Sequence, residues 1–200
     1  MSATARRPEG ARGSEGARGS EGARAAGVRG RSGAPAAPLR GLPPVLGSTP
    51  RLLLLGSFPG VASLAHARYY AHPRNQFWPI VGALLGEPLE TLAYERRLDR
   101  LKARGIALWD VLAACRREGS LDAAIREPAH NDFAGLLASA PSVRAVAFNG
   151  ATAARAAPWF EARGLAVYRL PSTSPAHAGL HREAKLARWR VLVDDGWIAP

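Results

Sequence analysis

Cysteine is nearly missing from this chain. Cys115 is the single one among 200 residues, and a lone thiol can neither close an intramolecular disulfide nor supply a four-cysteine zinc or iron–sulfur site. No segment approaches the roughly 18 consecutive apolar residues that a membrane-crossing helix needs, so no membrane partner is expected. The N-terminal region lacks the apolar core of a signal peptide, and its glutamates argue against an organellar transit peptide; the expected location is cytoplasmic. No glycine-rich turn ends in Gly-Lys-Ser/Thr, which excludes a phosphate loop, and His177 and His181 share helical spacing without an HExxH pattern or a third ligand. Neither a metal nor a cofactor is expected.

Acidic residues are also scarce relative to basic ones, 16 against 27, for a net charge of +11. Residues 1–40 hold eight arginines and three glutamates, and the remainder of the chain is basic as well. Such a balance suits a polyanion, because each phosphate neutralised releases counterions. An Ala-, Arg- and Gly-rich composition produces the same balance without any such partner.

What is present begins with repetition. Residues 9–24, EGARGSEGARGSEGAR, repeat a six-residue unit with no large apolar side chain, and such a segment cannot offset the entropy of ordering its backbone. Residues 1–47 are therefore expected to be a disordered tail, and residues 48–200 one domain. Beyond residue 50, RLLLLGS (51–57), GIALWDVL (105–112), VRAVAFNG (143–150) and LAVYRLPS (165–172) read as strands bounded by Gly, Pro or Ser. Helical spacing covers 75–86, 89–103, 131–139, 151–163 and 181–193. The alternation predicts an α/β fold, a three-layer α/β/α sandwich around a central, mostly parallel four-stranded sheet. Ligands of such sheets sit beyond the carboxyl ends of the strands, which directs attention to the segments that follow each strand.

After the first strand, GSFPG (56–60) makes a short turn that leaves the backbone N–H groups of Ser57 and Phe58 free to face a ligand; a plain strand-to-helix turn uses the same residues. The third strand ends in FNG, where Asn149 offers a donor and an acceptor to the edge of a nucleobase, or else caps a helix. LPSTSPAHAGLHREA (170–184) is a hydroxyl-rich loop stiffened by proline, a type that enters nucleic-acid grooves, and it carries Ser172, Ser174, Pro175 and His177. In AHPRNQFW (71–78), Pro73 restricts His72 to extended geometry, Asn75 stands where a helix cap should, and Phe77 falls in the first helical turn. Cap and core account for that much. Arg74 and two tyrosines crowd the same turn, however, and an aromatic face beside a phosphate donor is how flipped or single-stranded bases are held.

Taken together, GSFPGVASL, YYAHPRNQFWPI, ALWDVLAACRREGSLDAAI, NDF, AFNG and LPSTSPAHA resemble in order and spacing the uracil-DNA glycosylase superfamily, closest to its hypoxanthine-DNA glycosylase (DNA-deoxyinosine glycosylase) branch. The resemblance runs from about residue 50 to the C-terminus. It implies a monofunctional DNA glycosylase of base excision repair that hydrolyses the N-glycosidic bond of a flipped deaminated base, hypoxanthine foremost. It also implies DNA as partner and a monomer. Mismatch-specific members read Gly-Ile-Asn-Pro-Gly at the first motif, the asparagine positioning the attacking water; Phe58 occupies that slot here, and a phenyl ring cannot hold water. In the hypoxanthine branch the catalytic amide is attributed to the asparagine before Phe-Trp, which matches Asn75. The second motif usually begins His-Pro-Ser or Asn-Pro-Ser; here Ser172 follows Leu170 and Pro171.

The roles implied by the resemblance follow from those matches. Asn75 orients a water below C1′, and Ser172 with Ser174 stabilises the departing base. The base stacks on Phe77 while the Ser57–Phe58 turn and Asn149 read its lactam edge. Arg74, Ser174, Pro175 and His177 touch the DNA. No lysine lies in these motifs to form a Schiff base, so the abasic site is expected to stay uncut. Two readings stay open beside this one: a uracil or mismatch-specific glycosylase, since the deaminated bases share a lactam edge, and a non-catalytic nucleic-acid-binding module of the same fold.

Overall fold

The computed structural model describes residues 37–200. In chain order its strands are β1 (Leu39–Arg40), β2 (Leu52–Gly56), β3 (Ile106–Asp110), β4 (Leu112–Arg116), β5 (Arg126–His130), β6 (Ala145–Asn149) and β7 (Ala166–Leu170). The helices are α1 (Val61–His66), α2 (Phe77–Leu85), α3 (Tyr94–Ala103), α4 (Phe133–Ser139), α5 (Ala157–Glu161), α6 (Arg182–Trp189) and α7 (Val191–Asp194). The four expected strands are β2, β3, β6 and β7, and they form one wholly parallel sheet in the order β3-β2-β6-β7.

All five residues of β2, of β3 and of β6 are buried. Because successive side chains point to opposite faces of a strand, this burial means that both faces of the sheet are covered. The sheet is the middle of three layers. The run Leu52–Leu55, fully buried, is the sequence form such a strand must take, each leucine contributing roughly 1.5–3 kcal/mol by its burial. The first of these strands lies between the second and the third, so the order reverses beside β2. That reversal is where an α/β sheet opens a crevice at its carboxyl edge.

A second, antiparallel sheet of order β1-β4-β5 is not anticipated by the sequence. The run GIALWDVL reads as one strand, but the chain changes sheets at Val111, between β3 and β4. Strand β5, REPAH, is exposed throughout, contains Pro128 and pairs with β4 through shifted register. Pattern reading fails there because an irregular edge strand carries no apolar alternation.

The expected boundary at residue 48 falls too late. Leu39 and Arg40 pair with Cys115 and Ala114, and Val45 exchanges backbone hydrogen bonds with Leu108 at 2.8 and 3.0 Å. The Leu42 carbonyl accepts from Trp109 Nε1 at 3.1 Å, and the Pro43 carbonyl accepts from the Tyr69 hydroxyl at 3.0 Å. A proline-rich segment reads as linker because its partners are distant in sequence; here they satisfy two buried aromatic donors. The rest of the expected tail, residues 1–36, lies outside the described residues.

Candidate active site

The carboxyl ends of the parallel strands open into a cavity of about 300 Å³. The turn after β2, the end of β3, the end of β6, the loop after β7 and the segment before α2 all contribute to its walls. Of the residues singled out from sequence, Ser57, Phe58, Asn75, Asn149, Ser172, Ser174, Pro175 and His177 meet there. Arg74 stands exposed beside Asn75 without lining the cavity, and Phe77 does not reach it.

Asn75 is half-buried, and its Oδ1 accepts the Phe77 N–H at 3.0 Å, so it does cap α2 from one residue before the backbone cap Gln76. Its own N–H donates to the His72 carbonyl at 2.9 Å, and the Gln76 N–H donates to the Thr173 carbonyl at 3.0 Å. The helix start is thus tied to the loop after β7. The capping bond fixes the amide's orientation and leaves Nδ2 and a second Oδ1 lone pair for a ligand.

Phe77 requires a correction. It is fully buried, with its face stacked on Tyr70 at a centroid separation of 3.8 Å and 14° between planes, and with Trp78 and Trp189 meeting it edge to face. No face is left on which a base can stack. Tyr70, one of the two tyrosines noted at that turn but not singled out as a site residue, lines the cavity where Phe77 does not. It is held at φ 53°, a conformation bulky residues rarely adopt, so its placement is maintained by the surrounding packing.

Asn149 is also differently employed. Its Nδ2 donates to Thr173 Oγ1 and its Oδ1 accepts the Thr173 N–H, both at 2.8 Å, and Thr173 is fully buried. The amide clamps the loop after β7 to the sheet instead of standing free to read a base. Beside it, Gly150 at φ +103° lacks the Cβ that would crowd Ser172 to 2.9 Å. Ser172 Oγ accepts the Ser174 N–H and Ser174 Oγ accepts the Ala176 N–H, each at 3.2 Å, two consecutive hydroxyl turns that shape the loop and leave both hydroxyl protons to donate. The exposed His177 ends it, its carbonyl held by Nζ of the buried Lys185 at 2.9 Å.

Across the cavity, the Ser57–Phe58 turn is clamped by Arg117, whose side chain is wholly buried. Its guanidinium lies 5.1 Å from the Phe58 ring centroid and donates to the carbonyls of Pro59 and Gly119. The N–H groups of Ser57 and Phe58 find no backbone carbonyl among the described residues, as expected of a ligand-facing turn.

The strongest signal that sequence reasoning missed is Asp110, the last residue of β3. It is 3% exposed, lines the cavity, and its Oδ2 has no hydrogen-bond partner among the described residues. Burial pushes its carboxyl up to about 7, Asp122 nearby adds to the shift, and Arg117 opposes it. A carboxylate closing an otherwise apolar strand was visible in ALWD; a charged residue at the carboxyl end of a buried parallel strand is a site candidate on that ground alone.

The comparisons with known proteins concern the family and the fold. The family model of the uracil DNA glycosylase superfamily matches residues 43–193. A hypoxanthine DNA glycosylase of Methanosarcina acetivorans is 42% identical over 153 residues, which are 76% of this chain and 96% of that protein. A hypoxanthine DNA glycosylase of Methanosarcina barkeri is 39% identical over 138 residues, 69% of this chain and 87% of that protein. A solution NMR structure from Methanosarcina acetivorans, described as a candidate uracil DNA glycosylase, superposes with a TM-score of 0.70 at 38% identity and covers 76% of this chain and 94% of its own. No helix among the described residues is long and apolar enough to cross a membrane.

Proposed function

The chain belongs to the uracil DNA glycosylase superfamily, and from that premise we propose that it is a monofunctional glycosylase that removes hypoxanthine from DNA, working as a cytoplasmic monomer. One observation carries the reading: Asn75 lines the cavity with its amide already oriented by the capping bond to Phe77. Capping and catalysis are compatible, because the bond that stabilises the helix start also preorganises the group that meets the substrate.

Hypoxanthine pairs poorly with thymine, which lowers the cost of extruding it from the duplex. The extruded base enters the cavity edge-on to Tyr70, with the exposed Arg74 and His177 placed to meet the backbone. The bond between N9 and C1′ then lengthens, its electron pair leaving with the base while the sugar takes on oxocarbenium character. An amide has no useful basicity near neutrality. Asn75 acts by holding a water below C1′ through its carbonyl oxygen and Nδ2, and by turning its carbonyl dipole toward the developing cation. The water oxygen bonds to C1′, one of its protons is lost to solvent, and the departing purine anion takes up a proton. The hydroxyls of Ser172 and Ser174 and the N–H groups of the Ser57–Phe58 turn donate to that anion.

The test is single-turnover incubation with an inosine-containing duplex, followed by separate assays for free hypoxanthine and for strand cleavage before and after alkali. Release of base with a strand that breaks only after alkali is the expected result. Binding without release would instead identify a non-catalytic module, and strand cleavage without alkali would require a Schiff base.

A further inference from the structure

Among the described residues, two polar atoms in the cavity wall have no hydrogen-bond partner, Oδ2 of Asp110 and the hydroxyl of Tyr70. Leaving such atoms unpaired in a buried place is costly, and a native structure that does so at a ligand cavity usually reserves them for the ligand. The two side chains converge. A Cβ at position 56 would overlap Asp110 Oδ1 and come within 3.1 Å of the Tyr70 hydroxyl, so the glycine at the end of β2 is what gives both side chains their room.

Their chemistry is complementary. An ionised carboxylate can only accept hydrogen bonds. A phenol whose ionisation is strongly disfavoured by burial and by the nearby Asp110, an effect the neighbouring Asn149 amide only partly offsets, stays protonated; an amide N–H meeting its oxygen still leaves the phenol proton to donate. An acceptor beside a donor matches a lactam, a ring N–H next to a carbonyl oxygen. Depth agrees with this: Asp110 lies at the end of a buried strand, whereas Asn75 is half-buried and His177 is exposed. The N1–C6 edge of a purine is the edge farthest from its bond to the sugar.

We propose that Asp110 and Tyr70 together select the lactam edge of the extruded base, Oδ2 of Asp110 accepting the ring N–H and the Tyr70 hydroxyl donating to the adjacent carbonyl oxygen. The inference rests on the glycosylase reading above and names the part of the site that chooses its substrate. Adenine turns a nitrogen lone pair toward the carboxylate and leaves that buried acceptor unpaired, which is the kind of mismatch that gives large discrimination. Uracil and xanthine carry the same lactam, so the pair separates deaminated from normal bases and leaves ring size to the cavity walls.

The test compares deoxyinosine with deoxynebularine, whose purine lacks both the N1 hydrogen and O6, in duplexes otherwise identical. Single-turnover rates at pH 8 are measured for the full chain and for Asp110→Ala, Asp110→Asn and Tyr70→Phe, with thermal melting of each; the isosteric asparagine and phenylalanine variants keep the test open where alanine fails to fold. The ratio of inosine to nebularine rates is expected to fall about ten- to hundred-fold in Asp110→Ala and by a smaller factor in the other two. Rates that drop equally on both bases would assign these residues a structural or general catalytic role and overturn the inference. Release of neither base by the unaltered chain would overturn the glycosylase reading and this inference with it, whereas release with a ratio unchanged across the variants overturns this inference alone.

Discussion

Asn75 serves two ends, and the two can be separated by experiment. Asn75 caps α2 and lines the cavity. Asn75→Ala is expected to lower stability by about 1 kcal/mol in thermal melting and to reduce inosine excision by roughly a hundredfold or more. Asn75→Ser keeps an oxygen able to cap, so it should recover the melting temperature without recovering excision. Asp110 is the opposite case, a residue kept at a cost. Its folded-state pKa, raised from 3.8 to about 7, means that between those values the native chain holds a proton the unfolded chain has released. Stability contributed by the neutral carboxyl is therefore present in acid and is lost as the pH rises toward 7, the sign opposite to that of a salt-bridged aspartate. Burial is the main cause of the shift; of the charged neighbours, Asp122 adds to it and Arg117 opposes it. Asp110→Asn should raise the melting temperature at pH 8, by the equivalent of about 2–4 kcal/mol, and change it little at pH 4; equal effects at both pH values would show that the carboxyl is not held in this way.

At the scale of elements, the site is assembled by clamps between segments that are far apart in sequence. Asn149 at the end of β6 holds Thr173, Thr173 holds the start of α2 through Gln76, and Arg117 holds the turn after β2. Thr173→Val preserves shape and backbone but removes the acceptor for Asn149 Nδ2, leaving a buried donor unpaired. It is expected to cost about 1–3 kcal/mol in denaturant titration and to slow excision more on DNA than the melting change alone explains, because the loop bearing Ser172 and Ser174 loses its anchor. The elements themselves were largely legible. Mostly apolar runs bounded by Gly, Pro or Ser mark β2, β3, β6 and β7; the first three are buried throughout, as strands covered on both faces are, and the edge strand β7 is only partly buried. The clamps were not, since a side-chain hydrogen bond between residues 24 positions apart leaves no periodic trace. Two residues in β1 and five exposed ones in β5 left none either.

For the whole molecule, a net charge of +11 and a DNA substrate make salt dependence a direct expectation. Binding to duplex should weaken linearly in log–log form with rising salt, with a slope near −0.9 for each phosphate neutralised; an affinity insensitive to salt would argue for a free nucleotide as substrate. Truncation tests the boundary of the domain. A chain beginning at residue 38 keeps β1 and the carbonyls of Leu42 and Pro43, whereas one beginning at residue 48 strands the donors of Trp109 and Tyr69 and should melt several degrees lower. By itself, the sequence determined the α/β class, the four parallel strands, the family, and the segments that meet at the carboxyl edge of the sheet. All of these depend on residue type and spacing along the chain, and motifs preserve both. Only the tertiary structure decided which atoms face the cavity: Tyr70 rather than Phe77, a bound Asn149 rather than a free one, and an unpaired carboxyl at Asp110. Those outcomes turn on which faces and lone pairs packing has already used, and that is settled by neighbours the chain brings together from afar.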